Sequence, residues 1–469
     1  MHDKILLVAT YIGKYAYIIS RPTVLQRGRK SMKKKLLSVL LCVSMLTSLV
    51  VGCGSKSEKA EESTDKTETT EKTKLTFWCH ENEPWFKSYE AMATKFEEEH
   101  PEYDVEVQSY PFKVYTEKIQ TALTSKGEEC PDIIAVWGGM APSYIESDAL
   151  AAVPDDFEKE LREDYMEPTL GVYQKEGKIY GVPMEYNLEY GGMIVNKKLF
   201  EAANLEYPTT WEELRKVSQE VSVSEGDIVE MEGFEMMDSD SLICNYLAMI
   251  LQQGGQYIED NGDINFATPE GVKALEEILS MVDNGETDLE NLANGEYCFN
   301  DVYQDKGYMA SVGSWGIGEG TTYDLTYGED YEYVPVPQYG EKMAFASETG
   351  WGLMVPANGA NVDAAWEFIE FFSQPENLVE HNIACNQLPP RKSMLTNETY
   401  IEAMPDVVFL LDILPNGQWM GPYNTSAMRQ IFNQMFLDLC ETENRDVEGA
   451  LKAASEQISS ECKMSYSMD

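Results

Sequence analysis

Four tryptophans stand beside glycines where the hydropathy pattern breaks. Trp137 precedes Gly138-Gly139, Trp315 lies within Gly313-Ser314-Trp315-Gly316, and Trp351 is held between Gly350 and Gly352. Trp419 falls in the polar stretch Asn416-Gly417-Gln418-Trp419-Met420-Gly421. A flat ring at a turn can stack on a weakly apolar face, and nearby hydrogen-bonding side chains can hold a rim of hydroxyls. The chain supplies such partners at His80, Glu81 and Glu83, at Glu185-Tyr186-Asn187, at Glu348, and at Arg391 after Leu388-Pro389-Pro390. Together these side chains suit non-covalent capture of a small solute with flat faces and hydrogen-bonding edges. Each has a plainer reading: a tryptophan fills core, a carboxylate is solvated, and Arg391 caps a helix. Trp211 and Trp366 fall on helical patterns and are assigned to core.

Other chemistries find less support. The chain has four histidines and no Ser-His-Asp or Cys-His arrangement, which argues against nucleophilic catalysis. No GxxxxGK[ST] phosphate loop is present. The acidic stretch Tyr257–Phe266 lacks EF-hand spacing and reads as a hairpin around Asn261-Gly262. Neither a metal nor a cofactor is expected, nor any enzymatic activity. A secreted glycosidase is the less favoured alternative, because it needs two carboxylates across a cleft and no pair is marked.

Cys42 and Cys53 belong to the N-terminal region, and Cys79, Cys130, Cys244, Cys298, Cys385, Cys440 and Cys462 remain. That odd set without CxxC spacing indicates neither a disulfide framework nor a zinc site. Net charge is −45; residues 1–52 carry nine Lys/Arg and one Asp, so the remainder has 27 basic and 80 acidic side chains, or −53. Such a balance repels nucleic acid and anionic headgroups, and suits a neutral or cationic ligand.

Lys33-Lys34-Lys35, the apolar run Leu36 to Val51 and Gly52-Cys53 form a basic, a hydrophobic and a small-residue-cysteine region in order. Leu49-Val50-Val51-Gly52-Cys53 resembles a lipobox, with cleavage before Cys53 and lipidation of its thiol. Residues 32–52 are then a signal peptide. Residues 1–31 read as a mis-called extension ahead of the true initiator Met32. The Ser/Thr/Glu/Lys-rich stretch 53–74 buries nothing and reads as a disordered tether.

The part left to position the candidate side chains, residues 75–469, is long enough for two lobes or more. Leu75–Cys79 predicts a strand, Trp85–His100 a helix, Tyr103–Tyr110 a strand, Phe112–Ser125 a helix and Pro131–Val136 a buried parallel strand. Strand and helix in alternation imply an α/β layer, whose ligands sit beyond the carboxyl ends of its strands. Later strands are expected at 178–183, 190–195, 308–315, 333–337 and 349–355, and helices at 196–203, from Trp211, from Pro269, at 362–372 and at 427–440. Thr210-Trp211-Glu212-Glu213 has the spacing of a capping box.

Five ordered stretches carry a resemblance. They are Pro131-Asp132-Ile133-Ile134 with Tyr144 and Leu150; Lys178-Ile179-Tyr180-Gly181-Val182-Pro183; and Val195-Asn196-Lys197-Lys198-Leu199-Phe200 followed by Pro208-Thr209-Thr210-Trp211-Glu212-Glu213-Leu214. Gly307-Tyr308-Met309-Ala310 with Gly313-Ser314-Trp315, and Ala364-Ala365-Trp366-Glu367-Phe368-Ile369-Glu370-Phe371-Phe372 with Asn377, complete the set. From Leu75 to about Leu439 the chain resembles the family 1 extracellular solute-binding proteins, the maltose-binding-protein type of sugar-binding lipoprotein that serves ABC importers. It departs at Val195, where the family has an aromatic, and at Asp148-Ala149, where it has a glycine.

The resemblance implies an α/β, two-lobed periplasmic-binding-protein fold (type II), each lobe a central β-sheet flanked by helices, joined by a hinge. One lobe is expected at 75–186 plus 332–355 and the other at 187–331 plus 356–469. With the strand-end and loop candidates already named, the interlobe ligand set is expected to be drawn from Trp315, Glu185, Trp137, Trp419, Trp351, Tyr186, Asn187, His80, Glu81 and Arg391. Trp315 is where the family often puts a stacking ring, and Glu185-Tyr186-Asn187 is where it faces the cleft. The implied protein is a monomer on the outer face of the cytoplasmic membrane, held by its N-terminal lipid alone. It would bind a mono- or oligosaccharide, most simply a neutral one, and deliver it to ABC permease subunits. A non-sugar solute, or a sensor-kinase partner, is the alternative within the same fold.

Overall fold

Along the Thr73–His80 strand, Leu75, Phe77 and Cys79 are buried while the residues between them are less so, the period of two expected where one face meets the core. That strand is central to the first of two five-stranded sheets in the computed structural model, which describes residues 72–463 except 226, 227 and 424. The sheet runs Tyr103–Tyr110, Thr73–His80, Ile133–Trp137, Trp351–Met354, Val182–Pro183. The first three strands are parallel, with Phe77 opposite both Val107 and Ile133. Trp351–Met354 then enters antiparallel, with Trp351 opposite Trp137 and Met354 opposite Ile134.

The second sheet runs Tyr331–Pro335, Gly192–Asn196, Gly307–Ser311, Ile228–Glu235, Val223–Glu225. Gly192–Asn196 is antiparallel to both neighbours, whereas Gly307–Ser311 and Ile228–Glu235 are parallel. The fold is therefore two-lobed α/β, each lobe a sheet flanked by helices. A small parallel pair, Phe345–Ser347 with Gly417–Trp419, and a bridge between Tyr186 and Leu388 link segments that run between the lobes.

Local signals act as the chemistry requires. The Thr210 hydroxyl accepts from Glu213 N at 3.2 Å, and the Glu213 carboxylate accepts from Thr210 N at 3.1 Å, closing the capping box that starts the Trp211–Val221 helix. Thr268 caps the Pro269–Asp283 helix through Gly271 N. The Asn261-Gly262 turn forms with Gly262 at φ +77°, but the arms close through the one bridge Ile258–Ile264 rather than a ladder.

Three expectations need correction. Thr73 and Lys74, assigned to the tether, already pair with Tyr103 and Asp104. Tyr331–Pro335, assigned to the first lobe, hydrogen-bonds to Gly192–Asn196 in the second sheet, with Tyr333 opposite Ile194. Residues 362–384, assigned to the second lobe, pack on the first. The rings of Phe368 and Phe77 are 6.2 Å apart, those of Phe372 and Tyr89 are 5.9 Å apart, and Ser88 Oγ is 2.9 Å from His381 Nδ1. An amphipathic stripe tells that Val362–Ser373 is buried on one side, not which lobe it covers.

The extension, signal peptide, lipidated Cys53 and nearly all of the tether lie outside the described residues. Among those described, no helix is long and apolar enough to cross a membrane. The seven cysteines from Cys79 to Cys462 are free thiols.

The Ser88–His381 contact gives a direct check of where the Pro375–Ala384 helix docks. A double-mutant cycle with Ser88→Ala and His381→Ala should return a coupling of about 1 kcal/mol in urea unfolding. Strictly additive losses would place that helix elsewhere.

Candidate functional site

The strand directions set the site. His80 ends Thr73–His80, Trp137 ends Ile133–Trp137, and Glu185 follows the edge strand Val182–Pro183. Because Trp351–Met354 is antiparallel, its first residue comes to the same edge of the sheet. The second sheet repeats the device. Trp315 and Asp240 follow the carboxyl ends of Gly307–Ser311 and Ile228–Glu235, and Glu189 precedes the antiparallel Gly192–Asn196. Both edges face one cavity of about 500 Å³, within the range typical of small-ligand pockets.

One wall is aromatic and comes from the first lobe. The His80 imidazole stacks on Trp351 with centroids 4.1 Å apart and planes 20° off parallel, and buried Trp85 meets Trp351 edge-on at 5.8 Å. Burial lowers the His80 pKa to about 4, so the ring is neutral near neutral pH, and its Nδ1 has no hydrogen-bond partner. Trp137 completes this wall. Two glycines let the strand ends meet: Gly138 N donates to Gly350 O at 2.9 Å, and a Cβ on Gly138 would stand 2.0 Å from Thr349 O.

The opposite wall is Trp315, met edge-on by Tyr297 at 5.2 Å and Phe299 at 5.5 Å. Its indole Nε1 donates to the Glu189 carboxylate, with both oxygens at 2.9–3.0 Å. This contact fixes the ring's edge through a buried carboxyl acceptor.

Between the walls lies a polar network. Arg429, from the Ser426–Cys440 helix, is buried and donates to Asp240 at 2.5 Å and to Glu348 at 2.7 Å. Glu348 also accepts from the Asn187 amide. Glu185, 2% exposed, accepts from Trp351 N at 2.8 Å. Burial raises the Glu185 pKa to about 8, with a smaller push from Glu348. Burial, then the Glu348 and Asp240 carboxylates, push Glu189 well above the usual carboxylate range.

Of the residues read from the sequence, the structure brings Trp315, Trp351, Trp137, Glu185, Asn187 and His80 to the cavity. Four lie away from it. Tyr186 is buried in a connecting segment, its N–H bonded to Leu388 O at 2.8 Å, because alternation along the chain turns it from its neighbours Glu185 and Asn187. Trp419 pairs with Ser347, and its indole lies so close to Gly171 that a Cβ there would be 2.3 Å from Nε1. Glu81 is exposed beyond the strand end, its N–H spent on Tyr110 O. Arg391 is 3% exposed and tied to Glu160, Asp164 and Ser373 O while its guanidinium covers the Tyr165 ring. It fastens the first lobe.

Sequence reading missed Glu189, Asp240, Tyr297, Trp85 and Arg429. Glu189 lies two residues beyond the marked segment Glu185-Tyr186-Asn187. Arg429 had no local signal, since it projects from a long helix that faces the cleft only after the lobes assemble.

Residues 81–378 match the family described as Bacterial extracellular solute-binding protein, and the chain belongs to that family. An arabinooligosaccharide-binding protein of Bacillus subtilis (strain 168) is 26% identical over 356 residues, covering 72% of this chain and 76% of the relative. The crystal structure of a cyclic alpha-maltosyl-1,6-maltose binding protein from Arthrobacter globiformis superposes with a TM-score of 0.66 at 21% identity, covering 83% of this chain and 98% of the other. The sugar-binding protein MalE of Xanthomonas citri gives 0.66 at 19% identity, with 83% and 97% covered. These structural likenesses establish the two-lobed fold.

Two measurements follow from the site's electrostatics. Glu185 binds its proton more tightly folded than unfolded, so the folded state holds the extra proton between about pH 4.5 and pH 8. Stability should therefore fall as pH rises through that window. Urea unfolding at several pH values should show a shallower decline for Glu185→Gln, and parallel curves would refute the assignment. Arg391→Ala leaves the Glu160 and Asp164 carboxylates without their guanidinium and should cost about 3–5 kcal/mol. A loss confined to ligand affinity would instead return Arg391 to the cleft.

Proposed function

We propose that this member of the family captures a mono- or oligosaccharide between its lobes and delivers it to the membrane subunits of an ABC importer. The observation that carries the reading is the pair of aromatic walls, His80–Trp351 and Trp315–Tyr297, on opposite sides of a cavity lined by carboxylates, amides and a guanidinium. Ring faces suit the weakly apolar faces of a pyranose or furanose, and the polar groups between them suit its hydroxyls. The Bacillus subtilis relative is named for arabinooligosaccharides, and both structural neighbours for sugar binding, which supports this ligand class.

The ligand set we infer is Trp315, Trp351, Trp137, His80, Glu185, Asn187, Glu189, Asp240, Glu348 and Arg429. Residues 73–183 with 351–384 make one moving body and 192–335 with 426–463 the other. The segments between them, including Tyr186 and Trp419, bend as the lobes close on ligand. Cys53 carries the lipid that holds the protein, as a monomer, on the outer face of the cytoplasmic membrane. The protein binds and does not catalyse: Asp240 and Glu348 are held by Arg429, and Glu185 by the Trp351 N–H. Turnover of a chromogenic glycoside that is lost in Glu185→Gln would overturn that last statement.

A glycan panel read by thermal shift tests the ligand class. A bound saccharide at a hundredfold excess over Kd should stabilise residues 72–469 by about 2.7 kcal/mol. Trp315→Ala should weaken that binding by on the order of 2 kcal/mol. A panel without any shift, or a Trp315→Ala protein that binds unchanged, would refute the reading.

A further inference from the structure

The cleft holds more acidic side chains than its one guanidinium pairs with. Glu185, Glu189, Asp240 and Glu348 all line the cavity, together with Arg429. Arg429 is committed to Asp240 and Glu348. Among the described residues, Glu185 and Glu189 form no ion pair. Glu185 is 2% exposed and gives one oxygen to the Trp351 N–H, and among the described residues no group donates to its other oxygen. Two further polar atoms of residues lining the cavity are buried without a partner: His80 Nδ1, which donates or accepts according to its tautomer, and the acceptor Asn433 Oδ1.

Resting on the saccharide reading, we propose that the ligand carries a basic nitrogen, as an amino sugar does, and that its ammonium sits against Glu185 and Glu189 between the two aromatic walls. A hydroxyl brings one donor to an acceptor-rich pocket, whereas an ammonium brings three and a charge of the needed sign. The surrounding rings add to the preference, because a cation is attracted to the faces of indoles. Removing carboxylates from water is costly unless a counter-charge accompanies them; Arg429 acts on Glu189 only from beyond ion-pair distance, and no cation pairs with Glu185 among the described residues. Burial holds both acids toward the protonated form without ligand, and an ammonium in hydrogen-bond contact stabilises their ionised form. The overall charge of −45 also draws a cationic solute toward the cleft.

Calorimetric titration of the 72–469 protein with matched oligosaccharides decides the matter. The probes are β- and α-linked glucosamine oligomers, their N-acetylated counterparts and the plain glucose oligomers, with spermidine as an amine that is not a sugar. At about pH 6 the free-amine oligomers of one linkage should bind at least about tenfold more tightly than both counterparts, with the advantage shrinking as salt is raised. Glu185→Gln and Glu189→Gln should each cut the ratio of amine to hydroxyl affinity by about tenfold, whatever they do to absolute binding. A neutral oligomer that binds as tightly as its amine counterpart overturns the inference and leaves the saccharide reading standing. Binding of spermidine with no glycan bound would overturn the saccharide reading and the amino-sugar assignment that rests on it. Binding of nothing on the panel overturns both.

Discussion

One buried guanidinium organises the cleft. Arg429 reaches from the Ser426–Cys440 helix to Asp240, just before the Ser241–Gln252 helix, and to Glu348, in the segment that returns the chain to the first lobe. Glu348 in turn takes the amide of Asn187, in the segment that first leaves that lobe. A charge so far from water is tolerated only with hydrogen-bonded counter-charges in place, and removal of either partner strands the other. The network therefore pins two connecting segments to the second lobe by the cost of breaking it. It also commits the guanidinium that lines the cavity to the protein's own carboxylates, which leaves Glu185 and Glu189 without an ion pair among the described residues.

Strand direction does the rest of the placement. In each sheet an antiparallel strand is inserted among parallel ones, so that its first residues meet the carboxyl ends of its neighbours. Trp351 comes to Trp137 in this way, and Glu189 comes to the edge that carries Trp315. Loops at such edges have no helix to satisfy, so glycines can bring the backbones close. The Gly138–Gly350 hydrogen bond is the result, and a side chain at Gly350 would stand 2.6 Å from Glu185 Oε1.

Much of this was legible in the sequence where the signal was local. The period-two strands, the capping box at Thr210 and the Pro-started helix at 269 all form where residue chemistry puts them, because caps and alternating faces need only near neighbours. The tryptophans next to glycines located three of the four tryptophans that line the cavity for the same reason. The signal failed where burial was complete or partners were distant. Ser241–Gln252 is buried at every position, so it shows no polar stripe to betray a helix. Trp419 and Trp351 look alike in their Gly-flanked settings, yet one packs on Gly171 and the other on His80, a difference set wholly by tertiary contacts. Arg391 was similarly ambiguous, since nothing near it in sequence announces Glu160 and Asp164.

The two walls also constrain how ligand energy can be used. His80 and Trp351 belong to one lobe and Trp315 and Tyr297 to the other, so a ligand that touches a single wall has the same affinity for open and closed forms and moves nothing. Only contacts made to both walls at once distinguish the forms, and a shift from mostly open to mostly closed needs several kcal/mol of that difference. The indole of Trp315 is prepared for this part, since Glu189 already holds its N–H and little rotamer freedom remains to be lost on stacking. Glu185 stands in the same relation to the first wall, through the backbone of Trp351. Each acid thus braces one ring, and a group that bridges the two acids draws the two rings together. Under the proposed function, recognition and closure are a single event, because a ligand that contacts both walls also joins them.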